Sequence, residues 1–89
     1  MPYVLVRSKI EDYAKWKPVF DERASFRKSS GSTGENVFRN ADNPNELLVL
    51  LEWDNLDKAR QFTQSPELRE AMQRAGVVDK PDIYFLEKS

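Results

Sequence analysis

The chain has 89 residues, 39% of them apolar, and 14 Lys and Arg stand against 15 Asp and Glu. That is enough for one small core, and a net charge of −1 leaves no basic surplus to hold a nucleic-acid backbone. Cysteine and histidine are both absent, which excludes disulfides, thiolate metal sites, a cysteine nucleophile and the usual neutral-pH proton shuttle.

The first element in chain order is a strand over residues 3–9, β-branched and aromatic with no breaker. The apolar stretch at this end is too short for a signal peptide, and nothing later could span a bilayer. A cytoplasmic protein of one domain, residues 1–89, is expected. Asp12 offers a helix N-cap, and Tyr13, Trp16, Phe20, Ala24 and Arg27 then recur at helical spacing until Gly31. Pro18 falls inside that helix and predicts a kink there.

Strand two is expected over 35–40, followed by Asp42, Asn43, Pro44 and Asn45, residue types that favour a turn. So short a connection predicts an antiparallel hairpin onto strand three, 46–53. Strand three carries five consecutive aliphatic residues, Leu47 to Leu51. A half-exposed strand alternates apolar and polar side chains; this one does not, so both of its faces need cover. Asp54 or Asn55 can cap a helix bearing Leu56, Ala59 and Phe62. Ser65, Pro66 and Glu67 restart it with a hydroxyl cap, a proline at the first position and a dipole-favoured acid. Leu68, Ala71, Met72 and Ala75 make its apolar side, Gly76 ends it, and residues 82–87 form strand four.

The order β-α-β-β-α-β, with right-handed crossovers, predicts an α+β fold. It is a ferredoxin-like, four-stranded antiparallel sheet with strands one and three central and the helices on one face. Two helices cover one face only. Leaving the other face's aliphatic residues in water forfeits about 1.5–3 kcal/mol each, against a total stability of about 5–15 kcal/mol. A homodimer pairing the open faces into an α+β barrel is therefore expected; the alternative is a solvated apolar sheet face.

Several stretches carry a resemblance. Asp12-Tyr13 with Trp16-Lys17, Phe20-Asp21-Glu22, Phe38-Arg39-Asn40, Asn43-Pro44-Asn45-Glu46, Glu52-Trp53-Asp54, Leu68-Arg69-Glu70-Ala71-Met72 and Ala75-Gly76-Val77 occur in that order. Together they resemble the dimeric α+β barrel superfamily, near its antibiotic-biosynthesis-monooxygenase-like and cyclase-like members. The resemblance implies cofactor-independent monooxygenase-like or cyclase-like chemistry on a small apolar or aromatic substrate. In relatives a histidine often follows the arginine of strand one, where this chain has Ser8, and haem-degrading members need a histidine ligand. No haem, other cofactor or metal is therefore expected.

Among individual residues, Glu52 beside Trp53 is the candidate base, since a carboxylate held against an indole has its pKa raised. Arg7, or Arg39 on strand two, could hold a substrate oxygen and pair with Glu52. The structural alternatives are a strand-end ion pair for Glu52 and edge protection for Arg39. Trp16, Phe20, Phe38, Trp53 and Tyr84 could line an aromatic site, although aromatics at such spacings also serve as plain core. A non-catalytic small-molecule-binding or accessory homodimer uses the same pocket without turnover. RNA recognition on this topology needs Lys/Arg-Gly-aromatic on strand three, and here strand three is aliphatic.

Overall fold

The computed structural model describes residues 2–89. Its elements are β1 (Pro2–Lys9), α1 (Tyr13–Glu22), α2 (Ala24–Ser30), β2 (Ser32–Asn40), β3 (Asn43–Trp53), α3 (Leu56–Thr63), α4 (Pro66–Arg74) and β4 (Asp82–Glu87). The strands form one sheet in the order β2-β3-β1-β4, with every neighbouring pair antiparallel. The expected topology, with β1 and β3 central, is the one observed.

Local chemistry sets most boundaries. The Asp12 carboxylate accepts from the Ala14 amide at 3.1 Å, Asn55 from the Lys58 amide at 2.9 Å, and Ser65 Oγ from the Leu68 amide at 3.2 Å. Each satisfies a donor that the first helical turn leaves free. Gly31 and Gly76 close α2 and the α4 segment with φ of 116° and 80°. A side chain is strained in that left-handed region.

Two boundaries depart from expectation. The helical segment over residues 13–30 breaks at Arg23, not at Pro18, which sits inside α1. The Arg23 amide bonds back three residues to the Phe20 carbonyl at 3.2 Å, ending α1 as a tight turn. The hairpin turn is Ala41-Asp42, and β3 begins at Asn43. The Asn40 and Asn43 side-chain oxygens accept from the Asp42 and Asn45 amides at 2.8 and 3.1 Å, and the strand starts within the stretch whose composition predicts a turn.

Alternation divides the sheet. Val4, Val6 and Ser8 of β1 and Leu47, Val49, Leu51 and Trp53 of β3 are buried on the helix side. The apolar ones form the core with Ile10, Trp16, Ala59, Phe62 and Ala75. The other face carries Tyr3, Leu5 and Arg7, Leu48, Leu50 and Glu52. In register with them lie Phe38, Tyr84 and Leu86, 55, 51 and 40% exposed. Asn36, Leu50, Leu5 and Tyr84 make one row across all four strands.

Candidate functional site

On the helix side the sheet and helices enclose an apolar cavity of about 80 Å³. Its floor is Val6, Ser8, Val49 and Leu51, and α1 contributes Trp16, Val19 and Phe20. Phe26, Phe62, Leu68, Ala71 and Met72 complete the apolar walls, with Ser8, Arg23, Arg27 and Glu67 as the polar lining residues. An apolar cavity of roughly 150 Å³ holds benzene, so a whole aromatic ring enters here only if part of the wall moves. Met72, an unbranched and adaptable side chain, is suited to that movement. Trp16 and Phe20 stack on each other at 4.7 Å between centroids, within a column that runs from Tyr13 to the Arg27 guanidinium.

Arg27 is the unusual member of this lining. It is 4% exposed, held by Nε to the Glu35 carboxylate at 2.7 Å and by Nη1 to the Phe20 carbonyl at 2.8 Å. Its guanidinium carbon lies 3.7 Å from the centroid of the Phe20 ring. Nη2 is buried and has no hydrogen-bond partner among the described residues. Leaving a buried donor unmatched costs about 1–3 kcal/mol, and more when it is charged. The sequence held one signal for this residue: Arg27 is the charged member of an otherwise apolar helical series.

The opposite face carries a second polar group. Glu46, 8% exposed, accepts from Arg7 Nε at 2.9 Å and from Asn40 Nδ2 at 2.6 Å, and Arg7 Nη2 also donates to it. Arg7 Nη1 reaches Asp82 at 3.4 Å. Hydrogen bonds from Asn40 and then Arg7 hold the Glu46 carboxyl below the ordinary carboxylate range, and the bond to Glu46 raises Arg7.

The residues singled out from sequence are thus not gathered in one place. Trp16 and Phe20 line the cavity. Trp53 is fully buried beside it, 5.0 Å from the Phe62 ring, with its indole N–H unpartnered. Arg39 lies over the Tyr13 ring at 4.4 Å. Arg7, Phe38, Glu52 and Tyr84 belong to the opposite face.

The expected contact of Glu52 with the Trp53 indole is not made, because consecutive strand residues point to opposite faces. Neither arginine pairs with Glu52, whose Oε1 instead accepts from Thr33 at 2.9 Å. A hydrogen bond to Glu52, and the negative charge of that carboxylate, raise the Tyr3 phenol above its ordinary value.

The model of the family described as "antibiotic biosynthesis monooxygenase" matches residues 4–74. No curated protein matches the chain. Among solved structures, a Bordetella bronchiseptica protein provisionally described as such a monooxygenase superposes with a TM-score of 0.84 at 14% identity, covering 99% of this chain and 96% of that one. SnoaB, a cofactor-independent oxygenase from Streptomyces nogalater, gives a TM-score of 0.77 at 16% identity, with 99% and 91% covered. A conserved protein from Methanosarcina mazei gives 0.68 at 17% identity, with 99% and 92% covered. At these identities the superpositions establish a shared fold.

Proposed function

Because this chain belongs to the antibiotic biosynthesis monooxygenase family, we propose that it is a cofactor-independent oxygenase acting on a small apolar or aromatic substrate in the cavity between sheet and helices. The observation that carries this reading is the cavity itself: an apolar pocket lined by Trp16, Phe20, Phe26 and Phe62 with few polar groups. Such a lining suits a flat, weakly polar molecule.

The chemistry follows from that substrate. A ring carbon between activating carbonyl or phenol groups loses a proton, and the carbanion passes one electron to dioxygen. The radical pair then closes a C–O bond to a peroxide, which takes up a proton. Loss of water from the hydroperoxide turns the original CH₂ into C=O, so that one molecule of dioxygen yields one carbonyl and one water. The apolar walls keep bulk water from the carbanion and the peroxide. Glu67 in the first turn of α4 is the carboxylate among the lining residues, and we assign it the proton-accepting role in place of Glu52.

The open sheet face supports the second half of the proposal, a homodimer. Phe38, Tyr84 and Leu86 with Leu5, Leu48 and Leu50 make an apolar surface, and Arg7, Glu46, Asn40 and Asp82 are already paired within one subunit. Covering that cluster buries Arg7 with its carboxylate partners already in place, which lowers the penalty for burying it. Glu52, Arg7, Phe38 and Tyr84 then serve assembly.

An oxygen electrode tests the enzymatic reading. With one-ring hydroxylated aromatics bearing an acidic CH₂, dioxygen uptake stoichiometric with product is expected. Glu67→Gln is expected to lower kcat by about 10²-fold, the lower end of the usual contribution of a positioned base. Binding of those compounds without dioxygen uptake would leave the non-catalytic binding protein as the correct reading.

A further inference from the structure

Arg27 is a cavity-lining charge with one guanidinium nitrogen unused. A buried ion pair replaced as a whole by hydrocarbon side chains often costs no stability, whereas a charge that keeps a partner is held for its geometry. Here the guanidinium is aimed from three sides, by Glu35, by the Phe20 carbonyl and by the Phe20 ring. Those contacts occupy Nε and Nη1 and leave Nη2. The fork is rigid and planar. Fixing two of its nitrogens therefore fixes the direction of the third.

We infer that Arg27 is the substrate's oxygen anchor: Nη2 donates to a single carbonyl or anionic oxygen on a one-ring-sized apolar ligand held against Phe20 and Trp16. This rests on the cavity reading above and narrows it. Phe20 lines the same cavity and lies under the guanidinium, so a ligand held at the edge of the Phe20 ring lies close to the fork. The Glu35 carboxylate already offsets the charge of Arg27, which makes a neutral carbonyl as acceptable as an anion. On proton loss, the negative charge that develops on a carbonyl oxygen falls beside a fixed cation in an apolar setting, where such stabilisation is strongest. Arg27 is thus a binding residue that also favours the ionised form of the substrate.

Three probes of similar size test this: ethylbenzene, acetophenone and benzoate, titrated into the whole protein by NMR with amide shifts at Ser8, Phe20 and Arg27 as the readout. Acetophenone or benzoate is expected to bind about tenfold or more tightly than ethylbenzene, the effect of one good hydrogen bond to a charged donor. The preference is expected to vanish in Arg27→Met. In Glu35→Gln, which keeps the guanidinium but removes its counter-charge, it is expected to shift towards benzoate over acetophenone. That second variant decides the matter if Arg27→Met does not fold. Equal binding of all three probes to the native protein would overturn the anchor while leaving the cavity as the site. A preference unchanged in Arg27→Met, or no benzoate shift in Glu35→Gln, would also overturn the anchor. Absence of binding by every probe would overturn the cavity reading with it.

Discussion

Arg7 and Arg27 sit on opposite faces of the same sheet, and their surroundings are inverted. Arg7, with its side chain 46% exposed, is matched by Glu46 and Asp82. Arg27, with its side chain 5% exposed, has Glu35 and one carbonyl and keeps a nitrogen unmatched. Water could have satisfied Arg7 without any partner, whereas Arg27 has no such recourse. The surplus of pairing on the open face is what a surface needs if a second subunit is to cover it. The deficit on the helix side is what a ligand site needs if an incoming oxygen is to be held.

The largest expected effect concerns the cores of the two faces. Leu47 is fully buried under the helices, whereas its neighbour Leu48 is half-buried on the open face. Leu47→Ala should cost about 2–5 kcal/mol in urea unfolding. Leu48→Ala should cost less than half as much when the protein is diluted enough to be monomeric. Equal costs under those conditions would mean that the open face is covered within one chain.

Assembly gives the next effect. Leu50→Arg places an unpaired charge at the centre of the open face, in the row with Leu5 and Tyr84. Burying such a charge costs about 3 kcal/mol or more, so dimer affinity should fall roughly 100-fold, with the far-ultraviolet circular dichroism of the folded monomer kept. Sedimentation velocity across a dilution series reads the difference, and an unchanged dimer would remove this face from the interface.

The pH dependence is smaller and has a defined sign. Glu46 has its folded pKa lowered by Asn40 and Arg7. Its contribution is therefore complete above the ordinary carboxylate range and is lost as pH falls through and below it. In Glu46→Gln the acid limb of the stability curve should flatten, as followed by urea midpoints at successive pH values. The smallest effect expected is Ser65→Ala, which removes the cap of α4 and should cost about 1 kcal/mol in the same assay.

These contrasts also explain what the sequence could convey. The topology was legible because β1, β3 and β4 announce themselves by aliphatic or aromatic runs, β2 by the glycine and turn residues that flank it, and each later helix by its cap, with Ser65-Pro66-Glu67 the clearest instance. The family was legible from residue order over most of the chain, and residues 4–74 match it.

Which face each side chain takes was harder to read. With Leu47 to Leu51 all aliphatic, apolarity cannot tell one face from the other, and a one-residue shift exchanges them. Glu52 and Trp53 were therefore read as one site although they lie on opposite faces. Pro18 predicts a kink because propensity is local, yet it sits within α1 and the helix ends only at Arg23. The break at Arg23 instead lets α2 lay Phe26 and Arg27 into the cavity wall, a requirement set by residues far away in sequence. Arg27 was visible as a charge in an apolar series, but only its hydrogen bonds in three dimensions single it out.

The account depends most on the two faces having separate occupants, and the mass in solution tests this directly. Sedimentation equilibrium at micromolar concentration should give twice the 10.4 kDa mass of the chain. A folded, soluble species that remains at the mass of one chain under those conditions would contradict the assignment of the open face, and with it the roles given to Arg7, Glu52, Phe38 and Tyr84.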